Sequence, residues 1–253
     1  MKIISFGGTD PGKRRSNNED AYLLDDETGL YAVADGIGGS EGGEVASRIA
    51  VEALAGAIVN LIREKDHPQP LGSVRKTGSD DSVLRQAVTI ANNEIRHAQA
   101  ERPELAGMGT TLAMLLLREE FACIANVGDS RAYLLRSGEF KQLTDDHSFV
   151  ADQLRAGIMT PEQARTSPYR HVITRALGAA DEVQPDVTQH RVQRDDKFLL
   201  CTDGLTEMVE DEDIGRIVAD AEPQEAVQQL LAAANERGGV DNITAVVVWI
   251  TEA

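Results

Sequence analysis

Apolar runs rich in β-branched residues recur along the chain as KIISF, DAYLL, GLYAVAD, TTLAMLLL, FACIANV, RAYLLR, FKQL, KFLLCTD and NITAVVVWI. Gly, Asp or Asn bounds them, as expected of strands separated by turns. Elsewhere the period changes to that of a helix. Val45, Ile49, Leu54, Ile58, Leu61 and Ile62 form an apolar stripe that predicts a helix over Glu44 to Ile62, and Val83 to Ala100 and Glu225 to Asn235 read the same way. The stretch from Arg63 to Asp81, containing HPQPLGSVRKTGSDD, is rich in Pro, Gly, Ser and charge and predicts an exposed loop. Turns as short as DDETG and RSGE join successive strands, so neighbours are expected to run antiparallel. The layering that follows is α+β: two antiparallel sheets with helices packed outside, a four-layer α-β-β-α sandwich. With 253 residues and no internal repeat, the expectation is one domain over 1–253.

Charge narrows the partners. Lys plus Arg total 25 against 42 for Asp plus Glu, a net charge of −17 that repels phosphate backbones and anionic lipid. Nucleic acid and membrane surfaces are therefore not expected partners. The start MKIISFGG lacks the basic and apolar regions of a signal peptide, and no run reaches the ~18 apolar residues of a membrane span, so the expected location is the cytoplasm. Cys123 and Cys201 lie inside apolar runs and read as buried hydrophobes rather than a disulfide framework.

The acidic residues are placed in a pattern. With the turn of NEDAYLLDDETGLYAVADG centred between Glu27 and Thr28, Asp20 and Asp35 fall opposite each other, where antiparallel partners have Cβ atoms ~5 Å apart. Two carboxylates so placed repel unless a cation sits between them. Asp203 ends the run KFLLCTD, Asp241 opens DNITAVVVWI, and Asp129 sits in the tight connection of FACIANVGDSRAYLL. Any one of these is ordinary turn chemistry. Together, each beside Gly, Asn or another turn residue, they suggest one oxygen-only site suited to Mg²⁺ or Mn²⁺ rather than Zn²⁺. In VADGIGGSEGGE, Gly36 would let the backbone approach a cation or adopt positive φ, and Gly38, Gly39, Gly42 and Gly43 would keep the helix entry uncrowded, with Ser40 a candidate N-cap.

Seven stretches in order, RSNNEDA (15–21), ADGIGG (34–39), GTT (109–111), NVGDSRAYL (126–134), DDHS (145–148), CTDGL (201–205) and DNIT (241–244), span nearly the whole chain. In these the chain resembles the metal-dependent protein phosphatases of the protein phosphatase 2C type, in particular the compact bacterial serine/threonine enzymes. The resemblance implies a β-sandwich flanked by helices with a metal site at one end. It implies two Mn²⁺ or Mg²⁺ ions, with Asp35 bridging them, the Gly36 carbonyl on one, and Asp203 and Asp241 completing the pair. Asp20, next to Glu19, would act mainly through water; Asp129 with Asp203 would hold a third, weaker ion; Arg15 would bind phosphate. Asn242 and His147 are candidates for supporting roles. Catalysis would rest on Arg15, Asp35 and Asp203, and the substrates would be phosphoserine and phosphothreonine on proteins, products of a bacterial serine/threonine kinase. A monomer is expected.

The chemistry is independent of the resemblance. A water between two cations ~3.5–4 Å apart ionises near neutral pH and attacks phosphorus in line. A guanidinium clamps phosphate oxygens bidentately. One position departs from the family: some eukaryotic members carry histidine after the second DG motif as a candidate general acid, whereas this chain has Ile37, leaving water near Asp129 as the expected proton source. The region 145–178 corresponds to the flap beside the family's active site, which influences substrate choice.

Rival readings fare worse. GGTDPGKR nearly satisfies a phosphate loop, but Arg14 replaces its hydroxyl residue and polar RSNNED follows in place of a helix. A cysteine phosphatase is excluded because the residues six beyond Cys123 and Cys201 are Asp129 and Glu207, not arginine. A catalytically silent binding or sensing module of the same fold is the remaining alternative, which the intact aspartates disfavour.

Overall fold

The computed structural model describes residues 2–38, 42–66 and 80–252. Gly39, Ser40 with its proposed cap, and 67–79 of the expected loop lie outside the described residues. Among the described residues, eleven strands form two sheets. The first has the order β1-β11-β10-β7-β8, built from Lys2–Asp10, Ile243–Glu252, Lys197–Cys201, Arg131–Arg136 and Glu139–Gln142. The second has the order β2-β3-β5-β6-β9, built from Asp20–Asp25, Leu30–Ile37, Leu112–Arg118, Phe121–Val127 and Asp186–Arg191, with the short β4 (Gly109–Thr110) on the end of β3. Every ladder is antiparallel.

The continuous apolar runs are strands covered on both faces. Along β11, Val246 and Val248 point into the space between the sheets with Tyr31, Val33, Leu115, Phe198 and Leu200, whereas Ala245 and Val247 pack with Leu199, Ile214, Val227 and Leu230. Strict alternation of strand side chains makes a two-sided core out of one sequence run. Helices α6 (Asp211–Asp220) and α7 (Pro223–Glu236) cover the first sheet; α1 (Gly42–Asp66) and α2 (Asp80–Glu101) cover the second. The buried residues Ala46, Ala50, Leu54 and Ile58 of α1 face Leu84, Val88, Ala91 and Ile95 of α2 and the outer faces of β3 and β5.

Two expectations need correction. Gly42–Arg63 of α1 is long and apolar enough to span a membrane by length and composition, against the reading that no run is. Its apolarity is used in packing on β2, β3 and α2. Sequence periodicity also overlooks β9, α6 and the two short flap helices α3 (Phe149–Arg155) and α4 (Pro161–Thr166). The remaining elements are the 3-10 turn Pro103–Leu105 and α5, the single turn Asp203–Thr206.

Turn chemistry sets the registers. Asp25 Oδ1 accepts from the backbone N–H groups of Glu27 and Thr28, and its Oδ2 from Thr28 Oγ1 at 2.7 Å, which fixes the β2–β3 turn. Asp20 then pairs with Asp35, as the centred turn predicts.

Candidate metal centre

All five strand-end aspartates gather at one end of the sandwich. β2 begins at Asp20, β3 ends just past Asp35 and Gly36, β10 runs out through Thr202 to Asp203, β11 starts two residues after Asp241, and Asp129 sits in the β6–β7 connection. The site thus draws on both sheets.

Threonines hold these strand ends. Asp20 Oδ2 accepts from Thr202 Oγ1 at 2.8 Å and from Thr244 Oγ1 at 2.6 Å. The Thr202 hydroxyl also accepts from Thr244 N at 3.0 Å, so β10 and β11 stay joined past their last ladder pair. Asp35 is clamped through its backbone: its N–H donates to Thr111 Oγ1, and its carbonyl accepts from Thr111 N and Thr110 Oγ1. Thr111 Oγ1 in turn shares a hydrogen bond with Ser130 Oγ at 2.7 Å, next to Asp129. These threonines lie in the GTT, CTDGL and DNIT stretches, but only the adjoining acids were legible as site residues.

Gly36 does not have positive φ among the described residues, so one of its two anticipated uses does not apply. Close approach decides: a Cβ there would lie 2.2 Å from the Gly43 carbonyl oxygen and 2.6 Å from that of Glu19. Side chains other than hydrogen cannot fit. Asn242 spends its amide on the β1–β2 loop, accepting from Glu19 N at 2.8 Å and donating to the carbonyls of Pro11 and Asn17. That loop carries Arg15, whose Nη2 donates to Asp241 Oδ2 at 2.8 Å while the side chain remains 56% exposed.

Apart from Asp241, which has Arg15, these carboxylates form no ion pair among the described residues. Five buried side-chain polar atoms have no hydrogen-bond partner among the described residues, and three are Oδ1 of Asp20, Asp129 and Asp203. Buried polar atoms are nearly always satisfied, so this concentration at one point signals a missing ligand. Burial pushes the Asp20 carboxyl up to about 7, against the two threonine hydrogen bonds. Burial and then neighbouring Asp203 push Asp129 up to about 8. Asp203 is raised to about 6 by burial and Glu207, and Asp35 is raised by burial and by Asp20 and Asp203. Such mutual repulsion is relieved by divalent cations, and an all-oxygen set fits Mn²⁺ or Mg²⁺.

His147, a candidate for a supporting role, lies in the loop just before α3 and is buried. Its Nδ1 accepts from Gly128 N at 3.1 Å, Nε2 lies 3.1 Å from Asp186 Oδ2, and burial lowers its pKa. It thereby braces the turn that carries Asp129. The segment after His147 leaves the sheet here and returns at Leu177, which exchanges backbone hydrogen bonds with Thr110 beside Asp35.

The match to known proteins agrees with this geometry. A family model described as protein phosphatase 2C covers residues 8–245. The chain belongs to the protein phosphatase 2C family. Among curated relatives of this phosphatase 2C chain, the serine/threonine protein phosphatase PstP of Mycobacterium tuberculosis is 38% identical over 245 residues, covering 96% of the chain and 44% of PstP. The protein phosphatase PhpP of Streptococcus pneumoniae is 36% identical over 248 residues, covering 96% of each. The chain thus spans less than half of one relative and nearly all of the other. A crystal structure of the PstP catalytic domain in complex with two manganese ions superposes with a TM-score of 0.84 at 36% identity, covering 99% of each chain. The α-β-β-α sandwich is therefore the fold of bacterial serine/threonine phosphatases, including the solved PstP domain.

Proposed function

We propose that this phosphatase 2C chain is a metal-dependent phosphoprotein phosphatase that hydrolyses phosphoserine and phosphothreonine, with 1–253 as one catalytic domain and 145–178 as its flap. The observation that carries the reading is the convergence of Asp20, Asp35, Asp129, Asp203 and Asp241 at one sandwich end with three buried carboxylate oxygens unpartnered. Asp35 would bridge two ions, with the Gly36 carbonyl, Asp203 and Asp241 as further ligands, Asp20 and Glu19 acting through water, and Asp129 with Asp203 serving a third. When bound, two Mn²⁺ or Mg²⁺ supply the charge that lets a water ionise near neutral pH and that neutralises phosphate during in-line attack.

The chain's own residues do the positioning. Thr202 and Thr244 turn Asp20 so that one oxygen stays available, and Thr110 and Thr111 fix the backbone of Asp35. Arg15 is poised beside Asp241 with most of its guanidinium open, where it can clamp phosphoryl oxygens bidentately. Ile37 ends β3 at the surface and offers no proton, so the leaving alkoxide takes its proton from solvent near Asp129. Substrates would be phosphoproteins made by a bacterial serine/threonine kinase in the cytoplasm.

Protein stripped with EDTA is expected to release no phosphate from a phosphothreonine peptide, to regain release with Mn²⁺ or Mg²⁺, and to lose it again in Asp203→Asn. Folded, metal-loaded protein that releases none would favour a silent phosphoprotein-binding module. Asp129→Ala should slow turnover under saturating Mn²⁺; unchanged turnover would exclude solvent near Asp129 as the proton source.

A further inference from the structure

GGTDPGKR fails as a phosphate loop, yet it runs straight into Arg15 and sets three cations in a row, Lys13, Arg14 and Arg15. All three are exposed, on the connection between β1 and β2 that leads to Asp20. Arg15 has Asp241 for a partner. Lys13 and Arg14 form no ion pair and no side-chain hydrogen bond among the described residues, so their charge is free to meet an anion from outside. Their backbone, by contrast, is held. Gly12 N donates to Asp10 Oδ1 at 2.8 Å, and that oxygen also accepts from Asn235 Nδ2 at 3.0 Å. Lys13 N donates to the Gly239 carbonyl at 2.7 Å. Gly12 has φ +75°, and a Cβ there would lie 2.2 Å from the Asp241 carbonyl oxygen, so the loop is pressed onto the segment that enters β11. The Asn242 amide holds Pro11 on one side of the three cations and Asn17 on the other. A loop anchored in this way costs little further backbone ordering when a ligand binds.

We propose that Lys13 and Arg14 form an anion subsite beside the phosphoryl position, selecting phosphopeptides that carry a second negative group close to the phosphorylated residue. The inference rests on the phosphatase reading, in which Arg15 takes the phosphoryl group. The second group is a carboxylate of Asp or Glu or another phosphate, since ammonium and guanidinium groups bind both. Successive Cα atoms are ~3.8 Å apart, and an extended peptide advances ~3.3 Å per residue. One or two residues on the loop therefore match about one to three positions along the substrate. The molecule as a whole favours the opposite choice, because a net charge of −17 repels acidic peptides at long range. A preference for acidic peptides would thus report the local cations and not the overall field.

The test uses the full chain loaded with Mn²⁺ and three phosphothreonine peptides. They are identical except two residues before and two after the phosphothreonine, where they carry Gln, Glu or phosphoserine; loss of the phosphothreonine phosphate is followed by mass spectrometry. Wild type is expected to show kcat/KM about threefold to tenfold higher on an acidic peptide than on the Gln peptide, the worth of one or two exposed ion pairs, mainly through KM. The advantage should shrink in about 0.5 M salt, which screens exposed charges. Lys13→Gln and Arg14→Gln should reduce it singly and abolish it together, whereas Arg14→Lys should retain it. These side chains are exposed and their backbone hydrogen bonds are kept, and circular dichroism verifies folding. A gain with Glu, with phosphoserine or with both supports the subsite and names its ligand. Equal kcat/KM on all three peptides, or an advantage that survives the double substitution, would overturn it. Absence of Mn²⁺-dependent release from every peptide would defeat the phosphatase reading instead. Fluorescence anisotropy of the same peptides on the Mn²⁺-loaded protein would then decide the subsite by the same ratios.

Discussion

Strand β10 is flanked by two aspartates with buried carboxylate oxygens, and the protein treats them oppositely. Before its first residue, Asp196 is 1% exposed and fully partnered: Oδ1 accepts from Arg136 Nε, and Oδ2 from Arg136 Nη2 and from Gln193 N. The adjoining Lys197 donates to the carbonyls of Val218, Ala219 and Ala221 and lies 5.1 Å from the Trp249 ring centroid. Beyond the other end, Asp203 keeps an oxygen with no partner and has acids for neighbours. One carboxylate is given its cation by the chain; the other, in the proposed centre, would take one from solution. Burial of an aspartate alone therefore says little about function, and the supply of counter-charge says much.

The sharpest way to break this contrast is to neutralise each end. Asp203→Asn is expected to cut metal-dependent phosphate release by at least about 100-fold, while the metal-free protein melts no lower than wild type because an uncompensated buried charge is gone. Asp196→Asn should do the reverse, retaining turnover well below its melting point but losing about 3 kcal/mol, the low end for breaking a buried pair because Arg136 is partly exposed. Denaturant melts and turnover measured on the same samples decide it; a dead but stable Asp196→Asn would abolish the distinction.

Smaller effects sharpen it. Arg15→Ala should raise KM for a phosphopeptide about tenfold or more, as expected for losing a charged hydrogen bond, with metal affinity little changed. Thr244→Val removes one of the two hydroxyls that turn Asp20 and should weaken Mn²⁺ binding about tenfold, measured by calorimetry.

A last effect is pH-dependent. The raised carboxyls at Asp20, Asp129 and Asp203 hold protons in the folded, metal-free state up to about 7, 8 and 6, whereas the ordinary aspartate value is 3.8. Between these values the folded state binds more protons than the unfolded chain, so stability falls as pH rises through that window. The EDTA-stripped protein should therefore melt about 2–4 °C lower for each kcal/mol lost between pH 5 and pH 8, and Mn²⁺ should raise the midpoint more at pH 8, where protons no longer compete.

The strands that build this arrangement were legible where both faces are buried, because runs such as ITAVVVWI have no other use. β9, with the sequence DVTQHR, was not: it is an edge strand, largely exposed, held by backbone pairing to β6 that its side chains do not announce. α6 was obscured by its acidic start, DED, although Ile214 and Val218 bury a clear stripe one turn apart. Within the site, the pairing of Asp20 with Asp35 followed from counting outward from a turn. The threonine supports did not, since a hydroxyl beside a strand end has many ordinary uses and only the fold shows which carboxylate it meets. His147 was read too weakly for the same reason: its burial depends on Asp186 and Arg175, far along the chain.

If the proposed centre holds its ions, the division of the site between the sheets would give metal supply a role in upkeep as well as chemistry. Asp20 and Asp35 belong to one sheet, while Asp203 and Asp241 extend from the other. An ion gripped by both sets staples the halves of the sandwich, as a disulfide would, but reversibly and with a strength that grows with free metal by mass action. In a cell short of manganese and magnesium, such a protein would slow its turnover and also open more often to proteases, so its abundance would follow the metal ration of its host.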